Sequence, residues 1–207
     1  MNQQVKMTVE NGFSWDETNP AEVGMSAAGV QRIADVFERQ FADRLHPAAQ
    51  LVVARRGQVV LDRTIGVRQV GGRESVRPST PFQTFSCTKA LMAFVTHKLV
   101  EEGKIELDAP VADYWPEFGQ KGKEAATIRH TLLHQAGIPQ KGLYWQIPHW
   151  WHWERVTRHV ARTPAEYEPG TQTAYHLVNF GFILGEVLRR VTNIGVRAYF
   201  ERVLFEP

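Results

Sequence analysis

The stretch FQTFSCTKALMAFVTHKLVEEGKIELDAPVADYWPEF, residues 82–118, holds the most informative pattern in the chain. Residues 87–102 are apolar almost all round in their first half, which is typical of a buried helix. Ser86 and Lys89 stand three residues apart at the start of this helix, so both side chains project from one face. Gly103 follows as the expected C-terminal cap. The pattern predicts a buried helix that carries a Ser–Lys pair at its amino end.

A Ser–Lys pair at this spacing has a chemical use. A serine hydroxyl is a weak nucleophile until a neighbouring base removes its proton. Lysine can be that base only as a neutral amine, and both burial and the positive end of a helix dipole disfavour the ammonium form. The main-chain N–H of Ser86 belongs to the unpaired donors of the first helical turn, so it can help to hold an oxyanion. The pair therefore indicates an activated serine.

The same four residues also allow a plainer interpretation. S-x-x-K matches arise by chance, and a serine at a helix start is commonly just a cap. Cys87, beside the serine, points about 100° away from it on a helix. We interpret Cys87 as a small buried hydrophobe rather than a nucleophile.

The chain before this stretch reads as three pieces. Residues 1–24 form a polar amino-terminal arm, and residues 25–80 form a helix and a β-hairpin. The helix starts at Ser26 as its N-cap and carries one apolar stripe. Runs at 49–54 and 58–61, rich in β-branched residues, flank an Arg-Gly pair and predict the hairpin. Residues 81–207 are mostly helical, so strands and helices are segregated and the fold class is α+β.

Helix boundaries within residues 81–207 follow from caps and breakers. Asp108 is predicted to cap a short helix, and a helix over 127–137 is predicted to end at Gly137. A further helix is expected to begin at Tyr175 and to end near Asn193.

Three stretches resemble the serine β-lactamase and penicillin-binding-protein superfamily, closest to its class C-like carboxylesterases. They are residues 82–118 above, TIRHTLLHQAGI (127–138) and EPGTQTAYHLVNFGFILGEVLRRVTN (168–193). The family has an S-x-x-K helix, then T-I-R-H-L-L-x-H-x-S-G-L, then P-G-T-x-x-x-Y-S, in this order and spacing. The resemblance covers roughly residues 25–207. It implies a β-lactamase/transpeptidase-like fold and chemistry through an acyl-enzyme.

The resemblance also implies roles for three residues. Ser86 resembles the acylated nucleophile, and Lys89 resembles its proton-handling partner. Tyr175 resembles a second base near Ser86. A phenol has an ordinary pKa near 10, so it needs a nearby cation to act as a base at neutral pH, and Lys89 would supply that cation. Tyr175 as a plain core aromatic stays open, although the preceding P-G-T turn favours the catalytic role.

Departures from the family pattern bear on the substrate. The family has Asn two residues after the Tyr, where it contacts the amide side chain of β-lactams and helps to position the Lys; this chain has Leu177. That change argues against an efficient β-lactamase. His176 stands where a small residue is usual, and the Tyr-His pair resembles the esterase-type members. His176 is therefore a candidate substrate-binding residue.

An aromatic cluster follows at residues 146–153, which read QIPHWWHW. Trp150, Trp151 and Trp153 are candidates for lining an acyl pocket, because small esters need apolar clefts. They are equally candidates for pinning a loop onto the helical part.

Histidines raise the question of a metal. His130 and His134 stand at i, i+4, and His149 and His152 are close in sequence, but no H-E-x-x-H pattern or adjacent carboxylate accompanies them. The resemblance makes His130 and His134 structural. We predict no metal site and no cofactor.

Composition excludes other classes. The net charge is only +2 and the basic residues are scattered, so no nucleic-acid partner is indicated. One Cys excludes an internal disulfide, and no apolar run approaches the roughly 20 residues that span a bilayer, so no membrane partner is expected. The amino terminus lacks the apolar segment of an export signal, which predicts a cytoplasmic protein.

Three functions remain open at this point. The first is hydrolysis of small carboxylic esters, the second a β-lactamase or D-amino-acid peptidase, and the third a non-catalytic binding or scaffold protein on the same fold. The third family motif, K-T-G, H-x-G or G-x-G on a strand, supplies the other oxyanion donor, and nothing after Tyr175 matches it. We expect the C-terminal strands of the sheet to lie outside these 207 residues. Expected partners are a small ester or amide, with self-association or a completing C-terminal segment.

Overall fold

The computed structural model describes residues 15–139 and 150–206. The chain separates into two compact units, the first up to Gln83 and the second from Thr84 onward. Within the described ranges, no helix combines the length and apolarity needed to cross a bilayer.

The first unit packs one helix on a hairpin. Helix α1 (Ala27–Ala42) begins where predicted, since the Ser26 hydroxyl accepts a hydrogen bond from the Gly29 N–H at 3.2 Å. Val30, Ala34 and Phe37 of its apolar stripe are buried, whereas Ile33 is 39% exposed. Val30 and Ala34 pack with Val60 and Leu61 of the hairpin. A small core therefore holds this unit together.

The predicted hairpin is confirmed. Strands β1 (Ala48–Arg55) and β2 (Gln58–Gly66) pair antiparallel, and both extend beyond the predicted runs. Arg56 and Gly57 both have positive φ, +53° and +75°, as a two-residue hairpin turn with the right-handed twist of its strands requires.

The second unit is helical. After a 3₁₀ turn (Phe85–Cys87) come α2 (Thr88–Glu101), α3 (Val111–Tyr114), α4 (Ile128–Leu132), α5 (Trp153–Arg162), α6 (Asn179–Thr192), α7 (Val196–Phe200) and a π-helical turn (Glu201–Phe205). Helix α6 is central, because α2, α3, α4, α5 and α7 all contact it. The largest buried apolar side chains of this unit include Leu99, Trp115, Phe118, Ile183, Leu188 and Tyr199. Helices and an antiparallel hairpin in separate parts of the described chain confirm the α+β class.

Helix α2 is buried on one face rather than all round. Met92, Val95 and Leu99 are buried, whereas Leu91 and Phe94 are 38% and 56% exposed. The expectation of a fully buried helix was therefore wrong for its other face. The predicted cap is confirmed, since Gly103 has φ +66° and its N–H donates to the Val100 carbonyl at 2.9 Å.

Two predicted boundaries between α2 and α5 were wrong. Asp108 caps nothing: its carboxylate accepts two hydrogen bonds from Arg129, at 2.6 and 2.9 Å, and α3 begins after Pro110. Helix α4 ends at Leu132, well before Gly137, because His134 adopts a left-handed backbone with φ +61°.

The last long helix begins later than predicted. Residues 175–178 are not helical, because their main-chain groups bond outside the helix: the His176 N–H donates to His134 Nδ1 and the Leu177 carbonyl accepts from Lys89. Helix α6 starts at Asn179 and ends at Thr192; the next residue, Asn193, has a φ of +55°, which confirms the predicted stop.

A buried lysine fastens the segment before α4 to the end of α5. The Lys123 side chain is inaccessible to solvent, and its Nζ donates to the carbonyls of Gln120, Ala161 and Thr163 at 2.8, 3.1 and 2.5 Å. Two of these carbonyls lie at the C-terminal end of α5, where a helix dipole favours a cation. Burial nevertheless lowers the pKa of Lys123 to about 8.

Candidate active site

Ser86 lies in the exposed 3₁₀ turn that leads into α2. The Cys87 N–H donates to the Thr84 carbonyl at 3.0 Å, and the Thr88 hydroxyl donates to the Phe85 carbonyl at 2.5 Å. Phe85 has a φ of +45°, which is rare for a bulky residue and is a form of strain found at functional sites. The turn therefore presents the Ser86 hydroxyl at the surface of the second unit from a constrained backbone.

Lys89 connects the predicted catalytic residues. Its Nζ donates to Ser86 Oγ at 3.1 Å and to the Leu177 carbonyl at 2.7 Å. The same Nζ lies 4.7 Å from the centroid of the Tyr175 ring, within the range of a cation–π interaction. The helix spacing supplies the first contact, and the segment before α6 supplies the other two.

Tyr175 is 46% exposed, so it is not a plain core aromatic. Its interaction with Lys89, followed by its interaction with the Ser86 hydroxyl, lowers the pKa of the Tyr175 phenol. Ser86, Lys89 and Tyr175 thus form one cluster, in which a phenol that ionises more easily than usual lies beside a hydroxyl and a cation.

His176 is placed differently from the candidate role in substrate binding. It is fully buried; its Nε2 accepts from the Ile138 N–H at 3.3 Å and its Nδ1 donates to the Ala174 carbonyl at 2.6 Å. Burial lowers the pKa of His176 to about 4, so the imidazole is neutral. Both ring nitrogens are engaged by main chain, and the residue holds two loops together rather than facing a substrate.

Two of the three tryptophans favour the interpretation that these side chains pack against the helical part of the chain. Trp153, in α5, donates its Nε1–H to the buried Glu186 carboxylate at 2.6 Å and packs on Phe182 of α6. Trp150 is partly buried against the helical core, and Trp151 is 72% exposed. Trp153 and Trp150 therefore act as packing residues of the second unit, and Trp151 is the one of the three with a largely exposed ring.

Glu186 completes the anchor of α5 on α6. Its oxygens also accept hydrogen bonds from Arg189 and Arg190, at 2.8 to 3.1 Å. Burial alone would raise the pKa of Glu186, but these hydrogen bonds and that of Trp153 hold it below its ordinary value. The carboxylate is therefore charged and fully paired inside the unit.

His134 is a residue of this cluster that sequence reasoning did not assign to the site. Its ring centroid lies 4.8 Å from that of Tyr175. The sequence signal was its place in the second of the three stretches that carried the resemblance, but only the fold brings it to Tyr175. His130, one turn earlier, is structural: its Nδ1 accepts from the Thr127 N–H and completes a capping box at α4.

Two further sequence interpretations concern Cys87 and metals. Cys87 is exposed, so its interpretation as a buried hydrophobe was wrong; the turn before α2 faces solvent instead of the core. Within residues 15–139 and 150–206, no group of three or more His, Cys, Asp or Glu side chains is arranged to hold a metal ion.

Comparison with known proteins places the chain in a family. Residues 33–207 match the sequence model of the family described as Beta-lactamase. The chain belongs to the Beta-lactamase family. Esterase/beta-lactamase LipL of Mycobacterium tuberculosis is 32% identical over 180 residues, which cover 84% of this chain and 40% of LipL.

Solved structures agree with this family. A penicillin-binding-protein homologue from Caulobacter crescentus superposes with a TM-score of 0.75 at 34% identity, over 84% of this chain and 47% of that one. A family VIII carboxylesterase superposes with a TM-score of 0.69 at 36% identity, over 82% and 46%. The β-lactamase/transpeptidase-like fold is thereby confirmed. The chain spans less than half the length of each of these three relatives.

Proposed function

We propose that this chain carries the nucleophile and proton-transfer groups of a serine hydrolase that acts on small carboxylic esters through an acyl-enzyme. The observation that carries the proposal is the contact of Lys89 Nζ with Ser86 Oγ at 3.1 Å while the same Nζ lies over the Tyr175 ring. A hydroxyl in this position has both a proton acceptor and a stabilising cation beside it.

We infer the path of the Ser86 proton from the contacts of Lys89 and Tyr175. Lys89 Nζ donates to Ser86 Oγ and to the Leu177 carbonyl, so in this proposal it orients the hydroxyl and does not remove its proton. In this proposal Tyr175 is the proton acceptor, because its interactions with Lys89 and with the Ser86 hydroxyl lower the pKa of its phenol. In acylation the Ser86 oxygen bonds to the ester carbonyl carbon while its proton passes to Tyr175; the ester C–O bond then breaks, and Tyr175 gives this proton to the oxygen that leaves as the alcohol. In deacylation a water oxygen bonds to the acyl carbon while one water proton passes to Tyr175; the bond between the acyl carbon and Ser86 Oγ then breaks, Ser86 takes the proton from Tyr175, and the acid leaves.

Preference for an ester rests on the surroundings of Ser86. Leu177 contributes only its carbonyl to Lys89, so no side-chain amide is present at this position to bind a peptide-like group. Phe85, next to the nucleophile, is 73% exposed and offers apolar surface for an acyl chain. LipL is named an esterase/beta-lactamase, and the family VIII structure is that of a carboxylesterase. Both names support an ester as the class of substrate.

A fluorophosphonate probe tests the proposal directly. It phosphonylates an activated serine, so it reports on Ser86 even where ester turnover needs a further oxyanion donor. Wild type should be labelled, Ser86→Ala should lose labelling, and Lys89→Met should slow it about 100-fold or more. Ser79→Ala, which removes an exposed serine elsewhere, is the matched control. Equal labelling of wild type and Ser86→Ala would refute the proposal.

Two substrates then separate the ester from the lactam reading. We expect p-nitrophenyl esters to turn over and nitrocefin to be a poor substrate, because Leu177 provides no amide for the antibiotic side chain. Faster turnover of nitrocefin would favour a β-lactamase. Turnover of neither substrate, together with no labelling of Ser86 by the fluorophosphonate, would favour a non-catalytic binding protein.

A further inference from the structure

His134 contacts the segment that carries Tyr175 on both sides of the tyrosine. The Ala174 N–H donates to the His134 carbonyl, and the His176 N–H donates to His134 Nδ1, both at 3.1 Å. One residue therefore fixes the main chain immediately before and immediately after Tyr175. A side chain held by its two flanking peptide groups loses most of its freedom to swing away from Ser86.

The His134 ring also supports the phenol itself. Its centroid lies 4.8 Å from the Tyr175 ring and 5.1 Å from the Phe180 ring at the start of α6. To reach both the main chain and the rings, His134 takes up a left-handed backbone with φ +61°. A positive φ is uncommon outside glycine, and histidine is among the residues that adopt it more readily than most.

We propose that His134 is the positioning residue of Tyr175 and that it performs this role only as a neutral imidazole. The proposal rests on the proposed function for its effect on catalysis, and on the contacts above for its effect on the tyrosine. His134 itself need not touch the substrate.

The required neutrality follows from the hydrogen bond. Nδ1 accepts from the His176 N–H, so a proton on Nδ1 would oppose that donor and break the contact. The titratable groups that face the ring are Lys89 on α2, with Tyr175 and His176 on the following segment; the Tyr167 hydroxyl donates to the His134 carbonyl. Burial and the Lys89 charge lower the pKa of His134, which keeps the acceptor available.

Two substitutions separate the acceptor from the ring. His134→Asn keeps an acceptor oxygen, tolerates a left-handed backbone and does not titrate. His134→Phe keeps an aromatic ring against Tyr175 and removes the acceptor. His97→Asn, at an exposed position of α2, controls for the loss of a histidine. Thermal unfolding of each variant establishes that it is folded before it is assayed.

The first measurement is the rate of fluorophosphonate labelling between about pH 5 and pH 8. We expect His134→Phe to be slower by about tenfold or more at every pH, and His134→Asn to stay within about threefold of wild type near pH 8. As pH falls through the lowered pKa of His134, wild type should lose rate more steeply than His134→Asn, because only wild type can protonate this group. The proposal would be overturned by equal labelling rates for wild type and His134→Phe. It would also be overturned if the labelling rates of wild type and His134→Asn fell equally steeply at low pH.

The second measurement does not depend on any reaction. The ultraviolet titration of tyrosinate, with the signal of Tyr175 obtained by subtraction of Tyr175→Phe, follows the phenol alone. His134→Phe should raise the pKa of the Tyr175 phenol by about one unit, because the Tyr175 ring would move away from Lys89. His134→Asn should leave this pKa unchanged. An unchanged titration in His134→Phe refutes the positioning role. A wild type that shows the expected titration but no labelling would instead refute the proposed function.

Discussion

The buried Lys123 predicts a specific dependence of stability on pH. Its ammonium has no carboxylate hydrogen-bonded to it among the described residues and is held by three main-chain carbonyls. The perturbation is Lys123→Met, which keeps the length and apolar volume of the side chain and removes the charge. The variant leaves three carbonyls without their donor, a cost that does not itself depend on pH, so any change with pH in the stability difference between the two proteins comes from the titration of Lys123.

The magnitude follows from the pKa of Lys123, which burial lowers from the ordinary 10.5 to about 8. In the unfolded chain the lysine holds its proton up to about pH 10.5, whereas in the folded protein it releases it near pH 8. Between these values the unfolded state binds more protons, so the free energy of unfolding rises with pH. At about 1.4 kcal/mol for each unit of pKa, the total rise is roughly 3 kcal/mol, and below about pH 8 the penalty is constant.

Urea unfolding of wild type and Lys123→Met at several values between about pH 7 and pH 10.5 measures this rise. Tryptophan fluorescence suits the measurement, because four of the tryptophans that the structure describes, at 115, 150, 151 and 153, lie in the second unit. The difference between the two proteins isolates Lys123, since all other titrating groups are common to both. A difference that stays flat within about 0.5 kcal/mol, or one that shrinks as pH rises, would refute the reasoning.

Other predictions address the site and its supports. Leu177→Ala should label with fluorophosphonate within about threefold of wild type, because Lys89 uses only the Leu177 carbonyl; a much larger loss would show that the side chain is needed. Gly170→Ala should lower the free energy of unfolding by about 2 kcal/mol, because φ is +88° and the new methyl group would lie 2.8 Å from His130 Nε2. The control is Gly24→Ala, where φ is also positive but nothing lies near the new methyl group, and there the loss should be about 1 kcal/mol. Glu186→Gln should cost roughly 3 kcal/mol at neutral pH by urea unfolding, because two arginines lose their buried partner. The advantage of wild type over Glu186→Gln should be complete above pH 4.5 and vanish as pH falls through the lowered pKa, and a constant advantage down to pH 3 would contradict this assignment.

Local patterns predicted the parts of the site that lie within one element. The spacing of Ser86 and Lys89 at a helix start placed their side chains together, and the structure joins them at 3.1 Å. The Arg-Gly turn of the hairpin and the Asn193 stop of α6 followed from the conformational preferences of single residues. Such features are predictable because neighbours along the chain determine them.

The rest of the site depends on contacts between distant segments. The sequence favoured a helix from Tyr175, but Lys89 and His134 take up the main-chain groups that this helix would use. His176 looked like a substrate contact, yet its two nitrogens bind the main chain of Ala174 and Ile138. No local pattern encodes these partners, because tertiary hydrogen bonds override helix propensity where the polar groups would otherwise be buried unpaired.

The hydrogen bond from Lys89 to the Leu177 carbonyl spans 88 residues of chain. Contacts of such sequence separation carry a large loop-closure entropy and form slowly compared with local helical turns. On the proposed function, the reactivity of Ser86 would report on the docking of α2 against α6, and its recovery during refolding would time the assembly of the helical unit. A nascent or misfolded chain would then carry an unactivated serine, which would become a nucleophile only once α6 is in place.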